Sequence, residues 1–477
     1  MNRNENENDW ITWLSLPLPE DVMKHKWHGD FAAMEQAMDR RLSGGLSDGM
    51  RKRLLLEKKI IKRLPGNYPL DREDACKKLE EAVEGFRPEE LKKLMDEDCA
   101  DWIYIGGEPH FRDNLLENLF KTRPDYAARR RKEQEESREK GFLSEAIENM
   151  RTEGGMDLTI RLRARLWFAR EAACRPGETV RVWLPIPAVG AQVKAVRILD
   201  DGTGTLPREC LYFVHTAPES APQRTICWEV SWQPGLEFLV EYEYDIEAGY
   251  VDLWGEDGKP AFRQSRYACF DAVTRDDLAE QPPHIVFSPM IRSLTNEVVG
   301  EETRPLEKAR RIYDYVTKKI RYSFMRSYVT LPVISEYVAA GGKGDCGAQS
   351  ILFIAMCRCA GIPARWQSGL YANPGRVGNH DWARFYVEEY GWLYADCSFG
   401  GGAHRAGDES RRRFYFGNLD PYRMPSCNRF QTDFDPVMRR LRSDPFDAQS
   451  GEAELTGEEH ERYPFESETV ITAVEER

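Results

Sequence analysis

The stretch GGKGDCGAQSILFIAMCRCAGIPARW, Gly341 to Trp366, decides how the carboxy-terminal half of the chain is interpreted. Glycine-rich sequence leads into Cys346, and the apolar run that follows predicts a buried helix stopped by Gly361 and Pro363. At a helix amino terminus, unpaired backbone N–H groups and the positive end of the helix dipole favour a thiolate. We therefore expect Cys346 to have a lowered pKa and to act as a nucleophile. The alternative is a buried, inert cysteine.

A second stretch, NHDWARFYVEEYGWLYADCSFG, predicts a strand, a turn at Glu389 to Gly391 and a second strand. His380 would open the first strand and Asp396 would lie near the end of the second, so a hairpin would bring them together. A thiol nucleophile needs a base, and the base needs an orienting partner. Cys346, His380 and Asp396 are therefore the candidate catalytic residues. Taken alone, His380 would more often be a structural histidine, and Asp396 could simply cap a turn.

These residues also carry a family resemblance. The sequence resembles the transglutaminase-like superfamily, in which a Cys opens a helix ending in G-I-P-A-R, a strand opens with H-x-W, and an Asp follows G-W-x-x-x. The corresponding positions lie within about Pro305 to Gly400 and are Cys346, Gly361 to Arg365, His380, Trp382, Gly391, Trp392 and Asp396. The resemblance implies that Cys346 is the acyl-forming nucleophile, His380 the general base and acid, and Asp396 the residue that orients His380.

The resemblance leaves the reaction open, because family members include protein cross-linking acyl transferases, proteases or amidases, and peptide N-glycanases. The glycanases usually carry paired C-x-x-C zinc motifs, and this sequence has no C-x-x-C, which disfavours that branch. Candidates for the side chain that completes the oxyanion hole are Tyr322, Tyr328 and Gln349. Asp381 stands where a small residue is frequent. It would favour the imidazolium form of His380 or compete with Asp396 as its partner.

The hydrophobic pattern changes along the chain and predicts four regions of an α+β protein. Residues 1–155 have apolar positions at helical spacing and end in a charged connector, Ala127 to Lys140. Residues 156–255 alternate between apolar and polar positions, as the strands of an antiparallel β-sandwich do. Residues 256–400 would form a papain-like transglutaminase core, and residues 401–477 a carboxy-terminal extension.

Two further local signals lie in the last two regions. Thr303 can cap a helix that has Pro305 in its first turn and an apolar stripe that ends at Ile320. The final stretch from Gly451 to Arg477 contains nine Glu against two Arg, which is typical of a mobile acidic tail. Its segment FESETVITAV could instead dock as a strand.

Composition limits the kinds of partner. The chain has 477 residues and a formal net charge of -13, which argues against general binding to nucleic acid or to anionic membranes. Its eleven cysteines are irregularly spaced and no secretory signal is evident, so we expect a reducing, cytoplasmic setting. No cofactor or metal is implied. Cys357 and Cys359 point in different directions on one helix and are better explained by packing.

These observations predict a cysteine-dependent acyl hydrolase, a peptidase or amidase, that cleaves peptide or other amide bonds through a thioester on Cys346. The substrate would be a peptide or a protein. Two alternatives stay open: a protein-glutamine acyl transferase, and a non-catalytic interaction module on the same fold.

Overall fold

The computed structural model describes residues 6–131, 139–168, 176–255, 269–455 and 465–477. Residues 132–138, half of the predicted charged connector, lie outside these ranges. The chain divides into two compact units: Glu5–Glu136 with Tyr322–Val333 form the smaller one, and Ser137–Arg321 with Ile334–Arg477 form the larger one. Within the described ranges, no helix has the length and apolar character needed to cross a membrane.

The smaller unit is mainly helical, as the spacing of its apolar residues predicts. Several helices begin at a side chain that accepts a hydrogen bond from the first turn, such as Asp30, Ser47 and Asp71. A β-hairpin that the sequence did not reveal lies between the fifth and sixth helices. The elements are α1 (Glu20–His28), α2 (Phe31–Leu42), α3 (Asp48–Asn67), α4 (Arg72–Ala82), α5 (Pro88–Asp96), β1 (Trp102–Ile105), β2 (Glu108–Phe111), α6 (Leu115–Thr122) and α7 (Pro124–Ala127).

The larger unit begins with a helix and two four-stranded antiparallel sheets that share one hydrophobic core. The elements are α8 (Glu139–Glu153), β3 (Gly155–Phe168), β4 (Thr179–Pro185), β5 (Val193–Asp200), β6 (Leu211–Thr216), β7 (Thr225–Ser231) and β8 (Glu237–Gly249). Alternate residues of β3, from Leu158 to Leu166, are buried, as the period of two predicts. The helix α8 contributes Ala146 to the same core.

The prediction of a mobile acidic tail is wrong for the described carboxy-terminal residues. The strands β16 (Glu452–Leu455) and β17 (Phe465–Glu476) each complete one of the two sheets, giving the strand orders β16-β4-β7-β6 and β17-β3-β8-β5. The strand β17 pairs with β3 along nearly its whole length. Its glutamates are tolerated because they lie on the solvent side, while Phe465, Ile471 and Val474 pack against the core.

A third sheet with surrounding helices follows in the same unit, except that Tyr322, the second residue of the short strand Arg321–Tyr322, belongs to the smaller unit. The elements are α9 (Pro289–Val299), α10 (Pro305–Lys319), β9 (Arg321–Tyr322), α11 (Ile334–Gly341), β10 (Lys343–Gly344), α12 (Cys346–Cys359), β11 (Ala364–Asn373), β12 (Arg376–Val387), β13 (Gly391–Ala395), α13 (Cys397–Arg405), α14 (Glu409–Phe414), β14 (Phe416–Gly417) and β15 (Arg423–Cys427). Its strand order is β14-β13-β12-β11-β15. The sheet therefore runs past residue 400, where we expected the core to end.

The start of α10 also differs from the prediction. Its cap is Arg304, without a side-chain hydrogen bond, so Thr303 is not the capping residue. The acceptor role falls to Glu302, whose carboxylate accepts from the backbone N–H groups of Thr303 and Arg304. The predicted apolar stripe of this helix is buried.

Candidate active site

Cys346 is the first residue of α12, as the sequence predicts. Asp345 caps this helix, and its side chain accepts a hydrogen bond of 2.9 Å from the backbone N–H of Ala348. The rest of the helix is almost wholly buried, which fixes its amino terminus against the sheet. Cys346 itself is half-buried.

The surroundings of the thiol overturn the expected lowering of its pKa. The Sγ atom of Cys346 donates to Oδ2 of Asp381 over 3.2 Å. Burial, together with the charges of Asp381 and Asp345, raises the pKa of Cys346 well above its ordinary value. A helix terminus contributes about 0.3–1 kcal/mol, and up to about 2 kcal/mol at partly buried sites. That effect is too small to offset burial beside two carboxylates, so the resting thiol is neutral.

The structure brings His380 and Asp396 together. His380 lies on β12, and Asp396 directly follows β13, the next strand of the predicted hairpin. Nε2 of His380 lies 2.7 Å from Oδ2 of Asp396. His380 is 3% exposed and Asp396 is fully buried, so water does not compete for this contact.

Asp396 is held in its ionised form. One of its oxygens, Oδ1, accepts from the backbone N–H of Phe399 over 2.9 Å and thereby caps α13. The other, Oδ2, lies 2.9 Å from Nη1 of Arg423 in addition to His380. Burial alone would raise the pKa of Asp396, but the charges of His380 and Arg423 lower it to about 2.

The imidazole of His380 is neutral at neutral pH. Burial lowers its pKa and outweighs the opposing effect of Asp396. An ionised carboxylate can only accept a hydrogen bond, so we assign the proton to Nε2. In a neutral imidazole this leaves an unprotonated Nδ1, which is the atom that can act as a base.

Asp381 does not compete with Asp396 for His380, contrary to one of our expectations. Its Oδ2 accepts from the thiol of Cys346, and its Oδ1 accepts from Nε2 of Gln449 over 2.8 Å. Burial and the neighbouring Asp345 raise the pKa of Asp381 to about 7. This side chain therefore acts on the nucleophile, and the sequence gave no sign of that role.

Gln349, one of the three candidate oxyanion donors, has its side-chain amide bound elsewhere. The side-chain amide of Gln349 donates to the backbone carbonyl of Gly344 over 2.9 Å. Tyr322 and Tyr328 belong to the smaller unit, where the hydroxyl of Tyr322 accepts from Lys121.

Sequence reasoning also missed residues that lie beyond position 400. Arg423 reaches Asp396, and Gln449 donates to the backbone carbonyl of His380 over 3.0 Å as well as to Asp381. The only local signal was the spacing of Asp420 and Arg423, which suits an ion pair but indicates no link to His380. Within the described residues, no group of three or more His, Cys, Asp or Glu side chains is arranged to hold a metal ion.

Comparison with known proteins identifies one domain of the chain. Residues 292–397 match the model of the transglutaminase-like superfamily. This chain contains a transglutaminase-like domain. The match covers α10, α12 and the β12–β13 hairpin, and thus Cys346, His380 and Asp396. Arg423 and Gln449 lie outside it. The match to this superfamily supports assignment to a family of cysteine-dependent hydrolases or acyltransferases.

Individual relatives are distant. An uncharacterized protein of Haemophilus influenzae is 25% identical over 150 residues, which is 27% of this chain and 41% of that protein. The chain thus spans about two fifths of the length of the curated relative it matches.

Two solved structures resemble parts of the chain. One is a proposed cysteine protease from Cytophaga hutchinsonii, with a TM-score of 0.39, 14% identity, and coverage of 68% of this chain and 91% of that one. The other is the periplasmic domain of TgpA from Pseudomonas aeruginosa, with a TM-score of 0.27, 14% identity, and coverage of 60% and 100%. At these scores the likeness carries no inference about activity.

Proposed function

We propose that the protein is a cysteine-dependent acyl hydrolase that cleaves peptide or other amide bonds through a thioester on Cys346. The observation that carries the proposal is the buried contact of 2.7 Å between His380 and Asp396. In this contact an ionised carboxylate holds a neutral imidazole with one nitrogen free. The match to the transglutaminase-like superfamily and the position of Cys346 at the start of α12 support the same chemistry.

The first half of the reaction forms the acyl-enzyme. Nδ1 of His380 takes the proton from the thiol as Sγ of Cys346 attacks the amide carbonyl carbon. The tetrahedral intermediate collapses, the C–N bond breaks, and His380 returns the proton to the leaving amine. The products of this half are the free amine and a thioester on Cys346. Asp396 stabilises the transient imidazolium without taking its proton.

The second half releases the acyl group. Nδ1 of His380 takes a proton from water as the water oxygen attacks the thioester carbonyl. The C–S bond then breaks, the carboxylic acid leaves, and the thiol of Cys346 regains its proton. The developing oxyanion in both halves would be stabilised by backbone N–H groups in the first turn of α12 other than that of Ala348, which already donates to Asp345. The first turn of a helix has no intrahelical acceptors for these groups.

Hydrolysis is preferred over transfer to an amine because bulk water competes unless a site for the amine is built. The substrate class, a peptide or protein, and the cytoplasmic setting stay predictions. A protein-glutamine acyl transferase and a non-catalytic module are the alternatives that the experiment must separate.

The test is mass spectrometry of a proteome-derived peptide library incubated with wild type and with Cys346→Ala, in the presence and absence of a biotinylated primary amine. New peptide termini or Gln deamidation that require Cys346 would support hydrolysis. Amine incorporation in place of these products would show that transfer is the reaction. Identical peptide profiles for wild type and Cys346→Ala would overturn the enzyme proposal and favour the interaction module.

A further inference from the structure

Arg423 lies against the proposed catalytic pair from a strand outside the matched domain. It occupies the start of β15 and is fully buried. Its Nη1 is 2.9 Å from Oδ2 of Asp396, the same oxygen that contacts His380. The guanidinium carbon also lies 4.6 Å from the ring centre of Phe399, and that ring is 4.4 Å from the imidazole of His380. The guanidinium is therefore fixed both by charge and by packing.

A second carboxylate holds Arg423 in this position. Oδ2 of Asp420 accepts from Nε and Nη2 of Arg423 over 3.0 and 2.5 Å. Asp420 is itself bound by the hydroxyl of Tyr415 and by the backbone N–H of Tyr422. The four charged or polar groups thus form one buried chain, in the order Asp420, Arg423, Asp396, His380.

A glycine in β11 allows β15, which carries Arg423, to lie close to that strand. The strand β11 lies between β12 and β15, and its Gly369 is paired with His380 on one side and with Pro425 on the other. A Cβ atom on Gly369 would lie 2.0 Å from the backbone carbonyl oxygen of Met424. Glycine at this position lets β15 come close enough for Arg423 to reach Asp396.

We propose that Arg423, held by Asp420, is a positioning residue for the catalytic pair, fixing Asp396 and setting the charge balance around His380. The proposal rests on the function proposed above. Arg423 does not contact the thiol, so its effect on the reaction passes through Asp396 and His380.

Arg423 and Asp420 should have opposite effects on the pKa of His380. The positive charge of Arg423 disfavours a second positive charge on the imidazole and so lowers its pKa, whereas the negative charge of Asp420 raises it. The titratable or charged groups around His380 and this chain come from several elements, namely Tyr371 on β11, Asp381 on β12 with Cys346 of α12 bound to it, Asp396 before α13, Tyr415 and Asp420 before β15, and Arg423 on β15.

The experiment is titration of the full-length protein by NMR with ¹³Cε1-labelled histidine, in which His380 is assigned by loss of its signal in His380→Gln. Arg423→Met should move the midpoint of His380 to higher pH, and Asp420→Asn should move it to lower pH. The His380 midpoint of the double variant should lie between those of the two single variants. Arg412→Met removes another buried arginine that pairs with two carboxylates, Asp314 and Glu409, and should leave His380 unchanged.

Several results would overturn the proposal: no shift in either single variant, shifts in the same direction, or an equal shift in Arg412→Met. If Arg423→Met does not fold, Asp420→Asn is the deciding variant. An unchanged titration midpoint of His380 in Asp420→Asn would contradict the proposal. Arg423→Lys should stay closer to wild type than Arg423→Met does, because it keeps the charge.

The NMR readout needs no substrate, which separates this proposal from the proposed function. If hydrolysis is found, the acid limb of kcat/KM against pH should shift in the same two directions as the His380 midpoint. If the midpoints shift as expected but no peptide is hydrolysed, the proposed function fails and the role of Arg423 in setting His380 stands.

Discussion

At the scale of single residues, the nucleophile is controlled by Asp381 more than by the helix that it opens. The carboxylate of Asp381 accepts from the thiol and helps to raise the pKa of Cys346. Reaction then depends on transfer of the thiol proton to His380, because a preformed thiolate is disfavoured. This differs from the expectation that the helix terminus would lower the pKa of Cys346.

Asp381→Asn should therefore make Cys346 more reactive. Without the neighbouring negative charge the thiol pKa falls, and alkylation by limiting iodoacetamide at pH 8 should accelerate at least about threefold. The advantage over wild type should shrink below about pH 7, where Asp381 of the wild type becomes protonated. Site-resolved mass spectrometry measures the rates, with Glu388→Gln on the same hairpin as the control. Equal rates at pH 8 would show that Asp381 does not govern the thiol.

At the scale of secondary-structure elements, the close approach of β11 and β15 is the feature on which the site depends. Gly369→Ala should lower the free energy of unfolding by more than about 2 kcal/mol, because the new methyl group meets the backbone of Met424. It should also shift the His380 titration, because β15 carries Arg423. Gly402→Ala, in α13 with its nearest contact at 3.8 Å, is the matched control and should keep the stability of wild type or gain up to about 1 kcal/mol, because Ala is favoured over Gly inside a helix. A Gly369→Ala protein as stable as that control would contradict the packing.

The docking of β17 makes a second prediction at this scale. Ile471 packs against the shared core, whereas its neighbour Val470 is 38% exposed. Ile471→Ala should cost about 1–2 kcal/mol of unfolding free energy, and Val470→Ala about 0.5 kcal/mol or less. Chemical denaturation of both variants measures the difference. Equal, small effects would mean that β17 contributes little to the core.

The sequence predicted elements whose causes are local and missed those that depend on distant strands. The hairpin that joins His380 to Asp396 is contained in one short stretch, so alternation and turn residues were sufficient to find it. Strand periodicity in β17 was visible, but nothing in the sequence could identify β3 as its partner. Arg423 acquires its role only when β15 pairs with β11, and Asp381 acquires its role only when α12 packs against β12. Those contacts depend on tertiary structure.

At the scale of the whole molecule, the candidate catalytic residues and Arg423 all lie within the larger unit. The stability of that unit should depend on pH because several of its buried carboxyl groups have raised pKa values. Asp381 titrates at about 7 in the folded protein and near 3.9 when unfolded. Because the folded pKa is the higher one, its contribution to stability is complete below about pH 4 and is lost as pH rises through about 7.

Asp381→Asn should consequently gain stability relative to wild type as pH rises from 5 to 8, by up to about 3 kcal/mol. Chemical denaturation of wild type and variant at both pH values gives the difference, in which the contributions of other groups, such as the buried histidines, cancel. Glu388→Gln should show no such trend. If the difference in unfolding free energy between wild type and Asp381→Asn stays constant from pH 5 to 8, the pKa of Asp381 is not raised in the folded protein.

The most direct test of the central claim, that His380 serves Cys346 as its base, is the rate of Cys346 alkylation by limiting iodoacetamide from pH 6 to 9 in wild type and His380→Ala. Cys76, Cys269 and Cys359 are also half-buried and serve as internal references. If the imidazole is the base, His380→Ala should slow the alkylation of Cys346 by at least about tenfold near pH 7.5 and leave the alkylation of the reference cysteines unchanged. An identical pH profile for Cys346 in the two proteins would show that the imidazole does not serve the thiol, and would contradict the account.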